Sequence, residues 1–232
     1  MRVLIIFILI AVSQTGIAQS FTEKVSSFER LSVTRGIEAT LYSSDSRELE
    51  FQISGIDRED VIIEEVNGKL RLKVSSEGLW EQIEEDDGWW VKVKIPYQSL
   101  LSLEVNTGAE VYVKDPIKSE QLDIEVSMGG ELDANVESGS LFVQNTMGGI
   151  VEVTGTVEEF DVSSNMGAVT DASDLQAEFV RGKANMGGEL KVHAKESFSG
   201  KASMGGYIRV YGNPERFRDS PSMGGEISNA RH

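Results

Sequence analysis

The 232-residue chain contains no cysteine. No disulfide braces it, and no thiolate is available as a nucleophile or metal ligand. It has two histidines, His193 and His232, too few for a Ser/His/Asp or Cys/His catalytic arrangement to be expected. Basic residues are scarce as well: 22 Lys and Arg stand against 38 Asp and Glu, a net charge of −16. Nucleic acid is therefore not an expected partner, because phosphate binding needs a basic surface. No segment carries the 3.6-residue apolar period of a helix. No Gly-x-Ser-x-Gly, P-loop or His-Glu-x-x-His pattern is present. An EF-hand loop and the Gly-Gly-x-Gly-x-Asp calcium repeat are also missing. No cofactor and no metal is expected.

Long apolar runs are missing too, except at the start. Residues 1–18 read as a secretory signal, with Arg2 as the charged region, Val3 to Val12 as the apolar core and Gly16-Ile17-Ala18 as the cleavage site before Gln19. The run is too short to span a bilayer well, and the absence of a nearby cysteine argues against a lipoprotein anchor. The mature chain, residues 19–232, is expected to be soluble and exported, to the periplasm or the cell surface. Losing Arg2 takes its charge from −16 to −17.

What is present is a repeat. A small polar residue, Met, Gly, then Gly or Ala recurs at Ser127-Met128-Gly129-Gly130, Thr146-Met147-Gly148-Gly149, Asn165-Met166-Gly167-Ala168, Asn185-Met186-Gly187-Gly188, Ser203-Met204-Gly205-Gly206 and Ser222-Met223-Gly224-Gly225. Successive Met positions differ by 19, 19, 20, 18 and 19, and every Met except the first residue lies in this tetrad. Six residues before each Met stands Leu122, Leu141, Phe160, Val180, Phe198 or Phe217. Four after it stands Leu132, Val151, Thr170, Leu190, Ile208 or Ile227, with polar residues between. Alternation with period two means short strands with one buried face. A fixed period near 19 residues, too short for a helix pair, means a solenoid. The fold class is all-β: a right-handed parallel β-helix with a β-rich N-terminal cap.

The invariant Gly after Met fits a corner needing positive φ, or a close approach of coils. Met itself is expected to point inward and stack as a buried column. A Met column also offers ligands to Cu(I), a reading set aside here because no Cys and only His193 and His232 would assist. The polar residue before each Met forms a second column, expected as a hydrogen-bonded ladder.

Upstream, Leu101, Leu103 and Val105 lead into Asn106-Thr107-Gly108-Ala109, a seventh copy with Thr107 in the Met place. Arg35-Gly36-Ile37 is a more distant relative. Residues 19–100 are expected to form the cap and residues 101–232 the solenoid, about seven coils and roughly 30 Å tall. Pro214 and Pro221 fall in the last coil, where proline suits an edge strand.

Chemistry-bearing candidates are few. His193, between Val192 and Ala194, is expected on the solvated face. The stretch from Trp80 to Trp90 holds all three tryptophans, Trp80, Trp89 and Trp90. They are the candidate ligand-binding residues, either stacking on a sugar or docking a protein. The alternative is an acidic hairpin tip whose tryptophans pack on the cap. Alternation puts Trp89 on the face of Val91 and Val93, and Trp90 on the other.

Phe28-x-x-Leu-x-Val with Gly36-Ile37, the Gly68-Lys-Leu-x-Leu strand, the Lys92-Val-Lys-Ile-Pro run and the Gly-turn repeats, in that order after an export signal, resemble the head GIN-domain adhesin-type proteins of Bacteroidetes. The name-giving Gly-Ile-Asn is Gly36-Ile37-Glu38 here. The resemblance implies a β-helix with a coil path similar to pectate lyases, no catalytic residues to carry over, and a cell-surface or periplasmic protein of adhesive character. The expected function is non-enzymatic binding or adhesion, with carbohydrate or an envelope protein as partner. A self-associating scaffold and a carbohydrate-active enzyme are the alternatives.

Overall fold

The computed structural model describes residues 19–75 and 88–230. Seventeen strands account for nearly all of it: β1 Gln19–Lys24, β2 Arg30–Thr34, β3 Ile37–Ser43, β4 Glu48–Ser54, β5 Val61–Val66, β6 Lys69–Val74, β7 Trp90–Tyr97, β8 Ser102–Asn106 and β9 Glu110–Val113. The longer strands follow: β10 Ile117–Ser127, β11 Glu131–Thr146, β12 Ile150–Asn165, β13 Val169–Asn185 and β14 Glu189–Ser203. The last are β15 Tyr207–Tyr211, β16 Arg216–Ser222 and β17 Glu226–Asn229. Among the described residues the only helix is a single 3₁₀ turn at Arg58–Asp60.

The strands coil into a β-solenoid of about seven turns. Each of the strands β11 to β14 contributes in turn to more than one face of the coil. The first face runs β5, β6, β2, β8, then the later halves of β10 to β14, then β16. The second runs β1, β4, β7, β3, β9, then the first parts of β11 to β14, then β15 and β17. The third is a short strip in which Ile117 meets Val136 and Val136 meets Gly155. Every pairing that involves β2, β3 or any of β8 to β17 is parallel. The antiparallel ones are β5 with β6, β4 with β7 and β1 with β4, at the N-terminal end.

Register follows the apolar repeat. Leu122, Leu141, Phe160, Val180, Phe198 and Phe217 are successive partners across the first face. Leu132, Val151, Thr170, Leu190, Ile208 and Ile227 are partners across the second. All but the terminal Phe217 and Ile227 are buried. Gly182 and Gly200 leave the space that the Phe198 ring fills. The 20-residue coil absorbs its extra residue in the register shift between Glu152 and Gly155, and the shorter coil after it is matched by shifts after Ala172 and Ala177. The strand opening at Ser102 begins differently from the expectation: Leu101 is exposed and Leu100 takes the buried place.

Parallel pairing also runs upstream of residue 100. Arg35-Gly36 turns between β2 and β3 as Thr107-Gly108 does between β8 and β9, and the two turns are bonded to each other from Gly36 N–H to the Thr107 carbonyl. β6 and β7 stack one coil further out on β2 and β3. The antiparallel β5 and β4 then close the stack.

The methionines depart from the expectation. They do not line the core: Met128, Met147, Met166, Met186 and Met204 are 44–53% exposed and Met223 is 79% exposed. Each has φ between 47° and 53°, and the following Gly has φ between 72° and 76°. Two consecutive left-handed residues closed by a bond such as Gly130 N–H to Ser127 O (3.0 Å) are the pattern of a type I′ turn. In that turn the second residue swings its side chain away from the core, so strand alternation does not carry through it. The first Gly is needed for its positive φ, since a Cβ there would meet open space. At Gly188 and Gly206 the second Gly gives room, since a Cβ there would fall against the Ser164 or Ala184 carbonyl of the preceding coil, while the third copy accommodates Ala168 in that place.

The polar column forms the expected hydrogen-bonded ladder over part of its length. Ser127 Oγ donates to Asn106 Oδ1 at 2.5 Å, Asn185 Nδ2 to Asn165 Oδ1 at 2.9 Å, and Ser203 Oγ to Asn185 Oδ1 at 2.6 Å. A buried cluster sits beside it, with Asn145 Nδ2 donating to the Val169 carbonyl at 2.8 Å and Ser164 Oγ to Thr170 Oγ1 at 2.7 Å.

Candidate functional site

Trp89 and Trp90 flank the start of β7 and face opposite ways, as alternation requires. Trp89 is half-buried and packs on the core. Its ring covers the left-handed Arg35-Gly36 turn so closely that a Cβ on Gly36 would lie 2.8 Å from it. Gly55 is held against the backbone of the same residue. Trp89 is thus packed into the corner of the N-terminal coil. Trp90 is half-buried on the outer side, with Lys92 Nζ 5.9 Å from its ring centroid. That distance is within cation–π range. Trp80 lies outside the described residues.

The outer side chains of β7 continue as Lys92 and Lys94. Parallel pairing brings Glu38 and Thr40 of β3 beside them, and antiparallel pairing brings Gln52 and Glu50 of β4 to the other flank. Lys92 Nζ lies 2.6 Å from Glu38 Oε2, and Lys94 Nζ lies 2.9 Å from Glu50 Oε2. The bond to Glu50, then its charge, holds the Lys94 ammonium above its ordinary pKa. Both pairs are exposed, so they contribute little to stability and remain open to exchange partners. A shallow depression of about 120 Å³ lies over Glu38, Thr40, Glu50, Gln52, Lys92 and Lys94. Beyond β3, Tyr112 of β9 is opposite Thr40 and is 50% exposed. The result is an open face with Trp90 at the start of its strand β7, Tyr112 at its β9 side, and acids, ammonium groups, an amide and a hydroxyl between.

Of this face, the sequence reading identified Trp90 alone as a site residue. Lys92 and Lys94 join it from the same strand, and Glu38, Glu50, Gln52 and Tyr112 only through long-range pairing. The visible signal was the shared parity of Trp90, Lys92 and Lys94. Glu38, the residue standing where the family name places Asn, lies in the middle.

A second concavity, about 390 Å³, lies at the N-terminal end between Val25–Glu29, Ser46-Arg47 and Pro96–Ser99. The Tyr97 hydroxyl there is committed to the Asp115 carbonyl at 2.7 Å. Burial, then the Asp115 charge, pushes the phenol up to about 12. His193 lies on the outer side of β14, half-buried, with Nδ1 3.3 Å from the Ser173 carbonyl. Among the described residues no group of three or more His, Cys, Asp or Glu is placed to hold a metal ion.

Fold and face together define a class: a β-solenoid that presents long, flat, in-register rows of side chains to its surroundings. The chain belongs to the family described as "putative auto-transporter adhesin, head GIN domain", whose profile matches residues 27–214. No curated protein matches it. Among solved structures it is similar to a "putative adhesin" from Bacteroides fragilis NCTC 9343, at 20% identity, TM-score 0.78, covering 92% of this chain and 97% of that one. It is also similar to a "putative lipid binding protein" from Parabacteroides distasonis ATCC 8503, at 19% identity, TM-score 0.68, covering 94% and 98%. A "putative adhesin" from Parabacteroides merdae ATCC 43184 follows at 16% identity, TM-score 0.67, covering 94% and 98%. At these identities the likeness concerns the fold.

Proposed function

We propose that this chain is an exported, non-catalytic binding module of adhesion type, and that it takes carbohydrate on the outer face of β3, β7 and β4. One observation carries the reading: Trp90 at the start of β7 and Tyr112 on the neighbouring β9 edge border rows of paired Glu, Lys, Gln and Thr side chains on an open sheet. Sugar rings offer apolar faces that stack on aromatics and hydroxyl edges that bond to carboxylates, amides and ammonium groups. The ion pairs hold those groups in place before a ligand arrives, which lowers the ordering cost of binding. The signal-like N-terminus and the family's description support export. Among the described residues no helix is long and apolar enough to cross a membrane.

The test is a glycan and envelope-polysaccharide screen on residues 19–232, with Trp90→Ala and Lys92→Ala alongside. Binding is expected, with at least about tenfold loss in Trp90→Ala, the size of a buried aromatic contact. Failure of the unaltered chain to bind any glycan would contradict the carbohydrate reading. A second reading, self-association as an envelope scaffold, is favoured by the far end of the stack. Among the described residues, β16 pairs only with β14 and β17 only with β15, which leaves strand edges open. Light scattering over a concentration series tests it: mass that rises with concentration supports it, and a strict monomer rejects it.

A further inference from the structure

We infer that the exposed methionine column is a binding site for soft monovalent metal ions, Cu(I) above all, held by thioether sulfurs from adjacent coils. This rests on the Met-Gly corner alone and is independent of the carbohydrate reading. Met128, Met147, Met166, Met186, Met204 and Met223 occupy one corner, one per coil. Bonds from Gly129 N–H to Met147 O (3.2 Å), Gly148 N–H to Met166 O (3.1 Å), Gly167 N–H to Met186 O (3.2 Å) and Gly187 N–H to Met204 O (3.1 Å) lock them in register. Neighbouring strands in such a ladder are about 4.8 Å apart. A two-coordinate ion with metal–sulfur bonds of about 2.3 Å spans about 4.6 Å between its ligands. Met has three side-chain torsions to take up the small difference.

The turn itself does not call for methionine. The same left-handed geometry is met by Asn67 (φ 51°), Thr107 (φ 56°) and Arg35 (φ 61°), each followed by Gly. Asn is the residue such backbone favours. Methionine stands there six times against that preference and, after the first residue, nowhere else in the chain. An apolar contact ridge would be served equally by Leu, Ile or Phe, of which the chain has many. The corner is also narrow: each Met lies between an exposed Gly and a Ser, Thr or Asn whose carbonyl closes the turn. Three residues further on stand Glu131, Glu189 and Glu226 in three of the coils, and the exposed Ile150 and Val169 in two others. Sulfur is what sets the column apart, and thioether sulfur selects Cu(I) over hard cations. The net charge of −16 favours a cation of any kind.

The chain lends itself to a clean test, because it has no cysteine and its other soft donors are His193 and His232. Residues 19–232 carrying [methyl-¹³C]Met are titrated with Ag(I), a redox-inert probe for Cu(I), in chloride-free buffer. Saturable shifts of the six corner methyl resonances are expected, ending at about three ions per chain if neighbours pair. Protein with norleucine in place of Met keeps shape and apolarity and loses only sulfur. It should bind at least about tenfold more weakly while retaining its β circular dichroism. Should norleucine disturb folding, Met147→Leu with Met166→Leu serves instead and should lower the stoichiometry. Unmoved methyl resonances, or equal binding by the sulfur-free protein, would overturn the proposal.

Discussion

At the residue scale, the Met-Gly corner shows how a two-residue turn overrides side-chain type. Counting by twos from Leu122, Ile124 and Val126 places Met128 inside, and its apolar character agrees. Yet two left-handed residues in succession rotate the Cβ direction, and the small Gly130, with Ser127, is buried while Met128 is exposed. Asn67-Gly68, a residue pair typical of tight hairpin turns, was the visible clue, since it shares the Met-Gly torsions. Left-handed backbone disfavours Met by about 1 kcal/mol relative to Asn or Gly. Met166→Asn is therefore expected to raise thermal stability slightly, whereas Gly167→Ala, at φ 72°, is expected to lower it by about 1 kcal/mol. Thermal unfolding of both variants checks the pair; a stabilising Gly167→Ala would contradict the turn assignment. Tyr97 gives a pH signature. Its folded pKa of about 12 lies above the value of 10.0 for a free phenol. Both states are neutral below about pH 10, so stability there does not depend on this group. Between 10 and 12 the unfolded chain releases the proton first, and stability falls as pH rises. Denaturant titrations across that window should show the fall, and Tyr97→Phe should flatten it.

At the element scale, the strands and their buried rows were legible because period-two alternation is read directly from side-chain types. The six-before and four-after columns became facing partners in the sheet without change of register. The face bearing Trp90 was only partly legible. Parity gave Trp90, Lys92 and Lys94 a common side, but Glu38, Glu50 and Tyr112 reach it through pairings between distant strands, which no local pattern announces. The two described tryptophans also divide by element. Trp89 packs over the β2–β3 turn, so Trp89→Ala is expected to lower stability by about 2–3 kcal/mol. Trp90→Ala is expected to leave stability within about 0.5 kcal/mol. Equal melting temperatures for the two variants would contradict their opposite placement. Within the core, Phe160→Ala removes one rung between Leu141 and Val180 and is expected to cost about 3–5 kcal/mol.

At the scale of the whole molecule, a solenoid couples each coil only to its neighbours, so stability is close to a sum over coils and their interfaces. The ends then matter most. At the N-terminal end, antiparallel β4, β5 and β1 close the stack, with Phe21 stacked on Phe51 at 4.7 Å between ring centroids. At the other end Phe217 covers Phe198, with ring centroids 5.1 Å apart, and Pro221 sits on the outermost strand of the first face. The closed end carries the aromatic, ion-paired face, and the stacked coils project away from it. This division fits a rigid stalk that presents a binding surface, and it places the functional question on Trp90 and its neighbours.

Intrinsic tryptophan fluorescence during titration with polysaccharide fractions addresses that question most directly, comparing the unaltered chain with Trp89→Phe and Trp90→Phe. A saturable change that survives Trp89→Phe and disappears in Trp90→Phe is the expected result. No change with any fraction, or a change that persists in Trp90→Phe, would contradict a carbohydrate site on the outer face of β3, β7 and β4.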